Sequence, residues 1–151
     1  MRADERAARW REAPALLILR LGLAWFLLVW AVNKFYAPEQ YMRLWNFIHG
    51  WKIDETIVYY LASTQVVICV AIIFGVARPI SYGLGLAMHV VSTYAVLPRL
   101  LAPFVIKDGF PVNRNLSITL AVLAAFIALW LLRHRDHWAL DAWWKTRRRR
   151  R

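Results

Sequence analysis

Four stretches of the chain are almost wholly apolar, at 14–33, 57–77, 79–98 and 115–132. A bilayer core is about 30 Å thick, and a helix rising about 1.5 Å per residue needs about 20 apolar residues to cross it. Arg20 is the one charged residue inside these stretches. Pro14 and Pro79 stand at the start of their stretches, where a helix tolerates a residue without an N–H, and Asn113 or Asn115 is placed to cap the fourth. The pattern predicts an all-α fold, an integral membrane four-helix bundle. Residues 14–133 form the membrane domain, 1–13 a basic N-terminal flank and 134–151 a Trp- and Arg-rich tail. The connection at Arg78-Pro79 is so short that the second and third helices must be antiparallel neighbours.

Between the first two stretches, Tyr41, Leu44, Trp45 and Ile48 recur at helical spacing, while Arg43, Asn46 and His49 fall elsewhere on the wheel. This predicts a short amphipathic helix in the outer head-group region, anchored by Trp45 and Trp51; an irregular loop packed over the bundle is the alternative. The second outer loop holds Pro98, Pro103, Gly109 and Pro111 and reads as irregular.

Composition supports a membrane solvent: 60% of the residues are hydrophobic and nine are Trp. The formal net charge of +11 would suggest nucleic acid in a soluble protein, but all the charges except Arg20 lie outside the apolar stretches, as hydrocarbon requires, so no nucleic-acid partner is expected. Of the 20 Lys and Arg residues, thirteen fall on the side of the two termini and the Arg78 turn. Six (Lys34, Arg43, Lys52, Arg99, Lys107 and Arg114) fall on the other. Positive charge is retained on the cytoplasmic side, so both termini are expected inside. The first apolar run is too long for a signal core and no small-x-small site follows it, so it reads as a retained span. Arg147, Arg148, Arg149, Arg150 and Arg151 follow Trp143 and Trp144. That mixture suits a surface of anionic lipid, at about 1 kcal/mol per Arg, or serves only to enforce topology.

Polar side chains within the spans are the candidates for chemistry, although helices also use them to hold one another. Arg20 lies about 9 Å along its helix from Pro14. It either snorkels to the near head groups or bonds a carbonyl, or it faces inward in a row with Ala24, Leu27 and Ala31 to present a cation to a substrate or quinone, with no acid in any span to balance it. His89 lies about 15 Å from Pro79, near the midplane, on a face with Tyr82, Gly85 and Ser92. Gln65 is expected at similar depth. The pair either bond each other as structural glue or, with Arg20, offer donors to a quinone head group. A haem would want two axial ligands, and the spans hold a single His. Cys69 shares the Gln65 face; without a second Cys or a nearby base it reads as a buried hydrophobe, with no metal site and no disulfide. Hydrolytic and nucleotide chemistry are unexpected, for the chain carries no Gly-rich phosphate loop and no Ser–His–acid or paired-carboxylate arrangement.

Several short motifs resemble the DoxX-like family: Arg20-Leu21-Gly22-Leu23-Ala24, Lys34-Phe35, Gly75-Val76-Ala77-Arg78, Arg114-Asn115 and Leu140-Asp141. The resemblance runs from about Leu16 to Trp144. It implies a four-helix bundle of the bacterial inner membrane and an accessory role in membrane redox systems, with other membrane subunits as partners. The aromatic first outer loop and the polyarginine tail depart from it. Three functions follow as expectations: an accessory subunit of a redox complex, with quinone as the conceivable cofactor and little catalysis of its own; a non-catalytic scaffold; or a small transporter or channel. The last lacks the intramembrane acids and broken helices that ion-coupled carriers use.

Overall fold

In the computed structural model, residues 3–107 and 109–148 are described. The chain folds as α1 (Ala3–Tyr36), α2 (Pro38–His49), α3 (Glu55–Phe74), α4 (Arg78–Ala95), the single turn α5 (Leu97–Leu100), α6 (Ile118–Leu131) and α7 (Leu140–Arg148). Among the described residues, three helical segments are long and apolar enough to cross a membrane: Trp10–Tyr36, Glu55–Phe74 and Arg114–Leu131. The fourth long helix, α4, has 18 residues, and Ser81, Tyr82, His89, Ser92 and Thr93 dilute its apolar character.

Helix α1 differs from expectation at its start. Pro14 lies inside it rather than at its first turn. Proline removes one i→i−4 bond, but the preceding Ala, Arg and Glu are strong helix formers, so the helix continues through it. Helix α3 begins on Asp54, whose carboxylate accepts from Ile57 N at 2.8 Å, and ends on Gly75 in the left-handed region at φ 65°. Gly75 is required twice over: a Cβ there would lie 2.5 Å from Ala139 Cβ and 2.6 Å from Arg20 Nη1. The turn from Gly75 to Arg78 makes α3 and α4 adjacent, as the sequence predicts.

Asn113 caps no helix with its side chain, contrary to expectation; its amide donates instead to Ala102 O, and a 3-10 turn at Arg114–Ser117 leads into α6. The loop between α4 and α6 is more ordered than predicted, containing α5 and a two-residue antiparallel pairing of Ile106–Lys107 with Phe110–Pro111.

Helix α1 packs chiefly on α3, and α4 on α6 and α3. Leu16, Leu23, Ala24 and Leu27 of α1 meet Cys69 and Ile72 of α3, Tyr82 of α4, and Phe126 and Leu129 of α6 in one core. Gly85 lets the helices approach: a Cβ would stand 2.8 Å from Ile72 Cδ1 and 3.1 Å from Phe126 Cε1. The outside is apolar as well, with Ile18, Trp25, Val67, Val91, Ile118 and Leu131 all exposed. An apolar exterior is what lipid contact requires.

The amphipathic helix expected between the first two apolar stretches is present as α2. Its expected stripe divides. Tyr41 and Trp45 are half-buried against the bundle, while Leu44 and Ile48, joined by Phe47, are exposed.

Candidate functional site

The polar side chains of the bundle lie at three levels. At the end that holds the α3–α4 turn and residues 133–141, Arg20 projects from α1 into the core row that Ala24, Leu27 and Ala31 continue. Its Nη1 donates to Asp136 Oδ2 at 2.8 Å, and the Tyr82 hydroxyl donates to the same oxygen at 2.6 Å. Asp136 and Tyr82 are fully buried and Arg20 is 3% exposed. Arg78 Nη1 donates to the carbonyls of Asp136 and Arg133, at 2.6 and 2.8 Å. Asp141 accepts from Ala77 N at 3.1 Å and Arg78 N at 3.0 Å, and so caps α4 from the distant tail. Ala77 needs that help, for its φ of 47° and methyl side chain offer no cap of their own. Together these contacts close residues 133–141 over the α3–α4 turn. Two donors, Arg20 Nε and Arg133 Nε, and one acceptor, Asp136 Oδ1, are left buried here without partners among the described residues.

At mid-depth, His89 Nε2 faces Thr119 O at 3.0 Å, so that nitrogen carries the proton and donates across to α6. Phe26 meets the ring edge-on at 5.5 Å and Phe126 lies 5.6 Å away. Ser92, expected on this face, is exposed and bonds Met88 O; Thr93 takes the buried place. Toward the other end, Gln65 donates from Nε2 to Leu27 O at 3.1 Å and accepts from Lys34 Nζ at 2.5 Å. Arg20, Gln65 and His89 each bond a different partner, and His89 and Gln65 do not bond each other.

The sequence pattern left Asp136 and Lys34 out of the candidates. Asp136 lies beyond the last apolar stretch, so a search of the spans for the Arg20 counter-charge passes it by. Its one signal was an acid in the otherwise basic run Arg133-His134-Arg135. Lys34 reads as a flanking charge because its backbone ends the span, yet its amine turns back into the bundle.

The membrane-surface candidates are placed at the extremities. Trp45 packs on His49 and Trp51, with centroids 4.2 and 5.4 Å apart, and Trp51 is exposed. Trp143 and Trp144 are half-exposed on α7, where the Arg147 guanidinium lies 3.9 Å from the Trp143 ring centroid. Arg149, Arg150 and Arg151, and the side chain of Arg148, lie outside the described residues.

Comparison with known families matches the DoxX model to residues 15–98. The chain belongs to the DoxX family. No curated protein and no solved structure matches it. Family membership and the apolar helices make it a small membrane protein. In this DoxX chain the matched region holds Arg20, Lys34, Gln65, Arg78, Tyr82 and His89, whereas Asp136 and Asp141, which neutralise and cap them, lie beyond it.

Proposed function

We propose that this protein is a small accessory subunit of a quinone-linked redox complex in the bacterial inner membrane, crossing four times with both ends cytoplasmic and contributing little catalysis itself. The observation that carries the reading is the commitment of the buried charges at the tail end to one another: Arg20 and Tyr82 hold Asp136, while Arg78 holds the tail carbonyls. A bundle locked in this way is suited to packing beside a partner that holds the reactive centre. Helix α4 supports a fourth crossing, since Ser81, Tyr82, His89 and Thr93 turn inward while Ile80, Leu84, Val90 and Val91 face out. The charge asymmetry supports the orientation. Arg20, Gln65 and His89 are the candidate contacts for a quinone head group, each of which also holds a hydrogen bond within the bundle. The test is gentle detergent purification at native expression, with identification of co-purifying proteins and extraction of quinone. A redox enzyme in the eluate is the expected result, and a partnerless oligomer free of quinone would overturn it.

A non-catalytic scaffold is the second reading. It is favoured by His89, whose protonated nitrogen is already engaged by Thr119 O.

A further inference from the structure

Helix α6 is short for a membrane span. Its 14 residues rise about 21 Å at about 1.5 Å each, roughly 9 Å less than a hydrocarbon core of about 30 Å. The 3-10 turn Arg114–Ser117 makes up most of the difference, at about 2 Å per residue. With one hydrocarbon edge beside Leu131, the other therefore falls near Arg114, at the root of the loop that joins α4 to α6. Helix α4, 18 residues and about 27 Å long, brings the chain to the same edge at Ala95, and α5 packs on the 3-10 turn. The loop thus leaves and returns at the boundary between hydrocarbon and head groups.

What it presents there is apolar. Leu101, Phe104, Ile106 and Phe110 are 72–78% exposed. In the hairpin, Ile106 stands opposite Pro111 and Phe110 opposite Lys107. Successive residues of a strand point to opposite faces, so Ile106 and Phe110 leave by different faces, and neither packs on the bundle. A protein docked on one face would leave the other in water, whereas a lipid layer surrounds both. The backbone suits a poorly hydrated medium. Leu101 N donates to Leu97 O at 3.0 Å, Val112 N to Val105 O at 3.1 Å, and the Asn113 amide to Ala102 O at 2.9 Å, so the loop holds internally polar groups that lipid would not satisfy. Its sequence carries Arg99, Lys107 and Arg114 against Asp108, a balance that suits anionic head groups. The Arg99 guanidinium lies 5.5 Å from the Phe47 ring centroid and so joins the loop to the exposed apolar side of α2.

We infer that residues 101–112 are a membrane anchor, a loop whose Leu101, Phe104, Ile106 and Phe110 enter the lipid at the edge of the hydrocarbon while the flanking bases meet lipid phosphates. The partner is the bilayer surface itself. The inference rests on the crossing by α4 and is independent of the redox reading.

The test places a nitroxide on the full chain in nanodiscs of phosphatidylglycerol and phosphatidylcholine, using Ile106→Cys and Phe110→Cys in a Cys69→Ala background. Power saturation compares collisions with oxygen, which concentrates in lipid, and with a water-soluble nickel chelate. Val91→Cys, on the outward side of α4, is the lipid reference, and Asn46→Cys, on the polar side of α2, the aqueous one. The oxygen-to-nickel ratio at Ile106 and Phe110 is expected several-fold above that at Asn46 and nearer to that at Val91. Circular dichroism and gel filtration verify folding, and Phe104→Cys, outside the strand pairing, replaces either hairpin variant that fails. A ratio equal to that at Asn46 overturns the anchor while leaving the crossing intact; an aqueous ratio at Val91 removes the crossing and the anchor with it. Labels shielded from both reagents mean that protein covers the loop, which overturns it equally.

Discussion

Asp136→Ala is the substitution that best tests how the tail is held. It removes the acceptor of two buried bonds, from Arg20 at 2.8 Å and Tyr82 at 2.6 Å. The guanidinium of Arg20, 3% exposed, would keep only the carbonyl of Trp138, 3.5 Å away. Removing one member of a buried ion pair typically costs about 3–5 kcal/mol, because the other charge remains buried. The Tyr82 hydroxyl loses its partner too, but the three groups form one network, so the costs do not add and the expected loss is about 3–5 kcal/mol in all. Replacing all three, with Arg20→Met, Tyr82→Phe and Asp136→Leu, leaves no orphan and should recover most of that loss, since buried pairs often exchange for apolar groups at little cost. The assay is equilibrium unfolding in mixed detergent micelles, followed by far-ultraviolet circular dichroism. A loss below about 1 kcal/mol for Asp136→Ala, the value of a solvent-screened pair, would show that residues 133–141 do not close over the turn in the membrane.

Gly85→Ala should destabilise by about 1–3 kcal/mol through overpacking against Ile72 and Phe126, whereas Gly22→Ala, whose added methyl meets nothing within 4 Å, should be neutral or mildly stabilising; the same unfolding assay compares them. His89→Leu should cost about 1–3 kcal/mol through the lost bond to Thr119 O yet leave co-purification with partners intact, and loss of bound quinone from an assembled His89→Leu protein would show the imidazole contacts a ligand. Reporter fusions at Met1 and after Arg151 should both read cytoplasmic and one near Trp51 external, while opposite readings at the two ends would remove a crossing.

The helices were legible in the sequence because a membrane leaves a one-dimensional record: an apolar run of sufficient length, a break, and charge collected at the breaks. The shared row of Arg20, Ala24, Leu27 and Ala31 and the short α3–α4 turn could be read for the same reason, since both depend on spacing along one segment, but whether Arg20 snorkels or turns inward was left open by the sequence and decided by the fold. The end of that turn on Gly75 was visible as a residue type, but its closeness to Ala139 and Arg20 was not. Tertiary structure alone decided the partners. Asp136 meets an arginine 116 positions away, and His89 bonds a backbone carbonyl, which no residue type at Thr119 announces. Lys34 shows the limit most plainly: its place at the end of an apolar run predicts a cation pointing to water. A lysine stem of four methylenes can turn either way, and the choice between solvent and Gln65 depends on what α2 and α3 place around it, which only the folded chain determines.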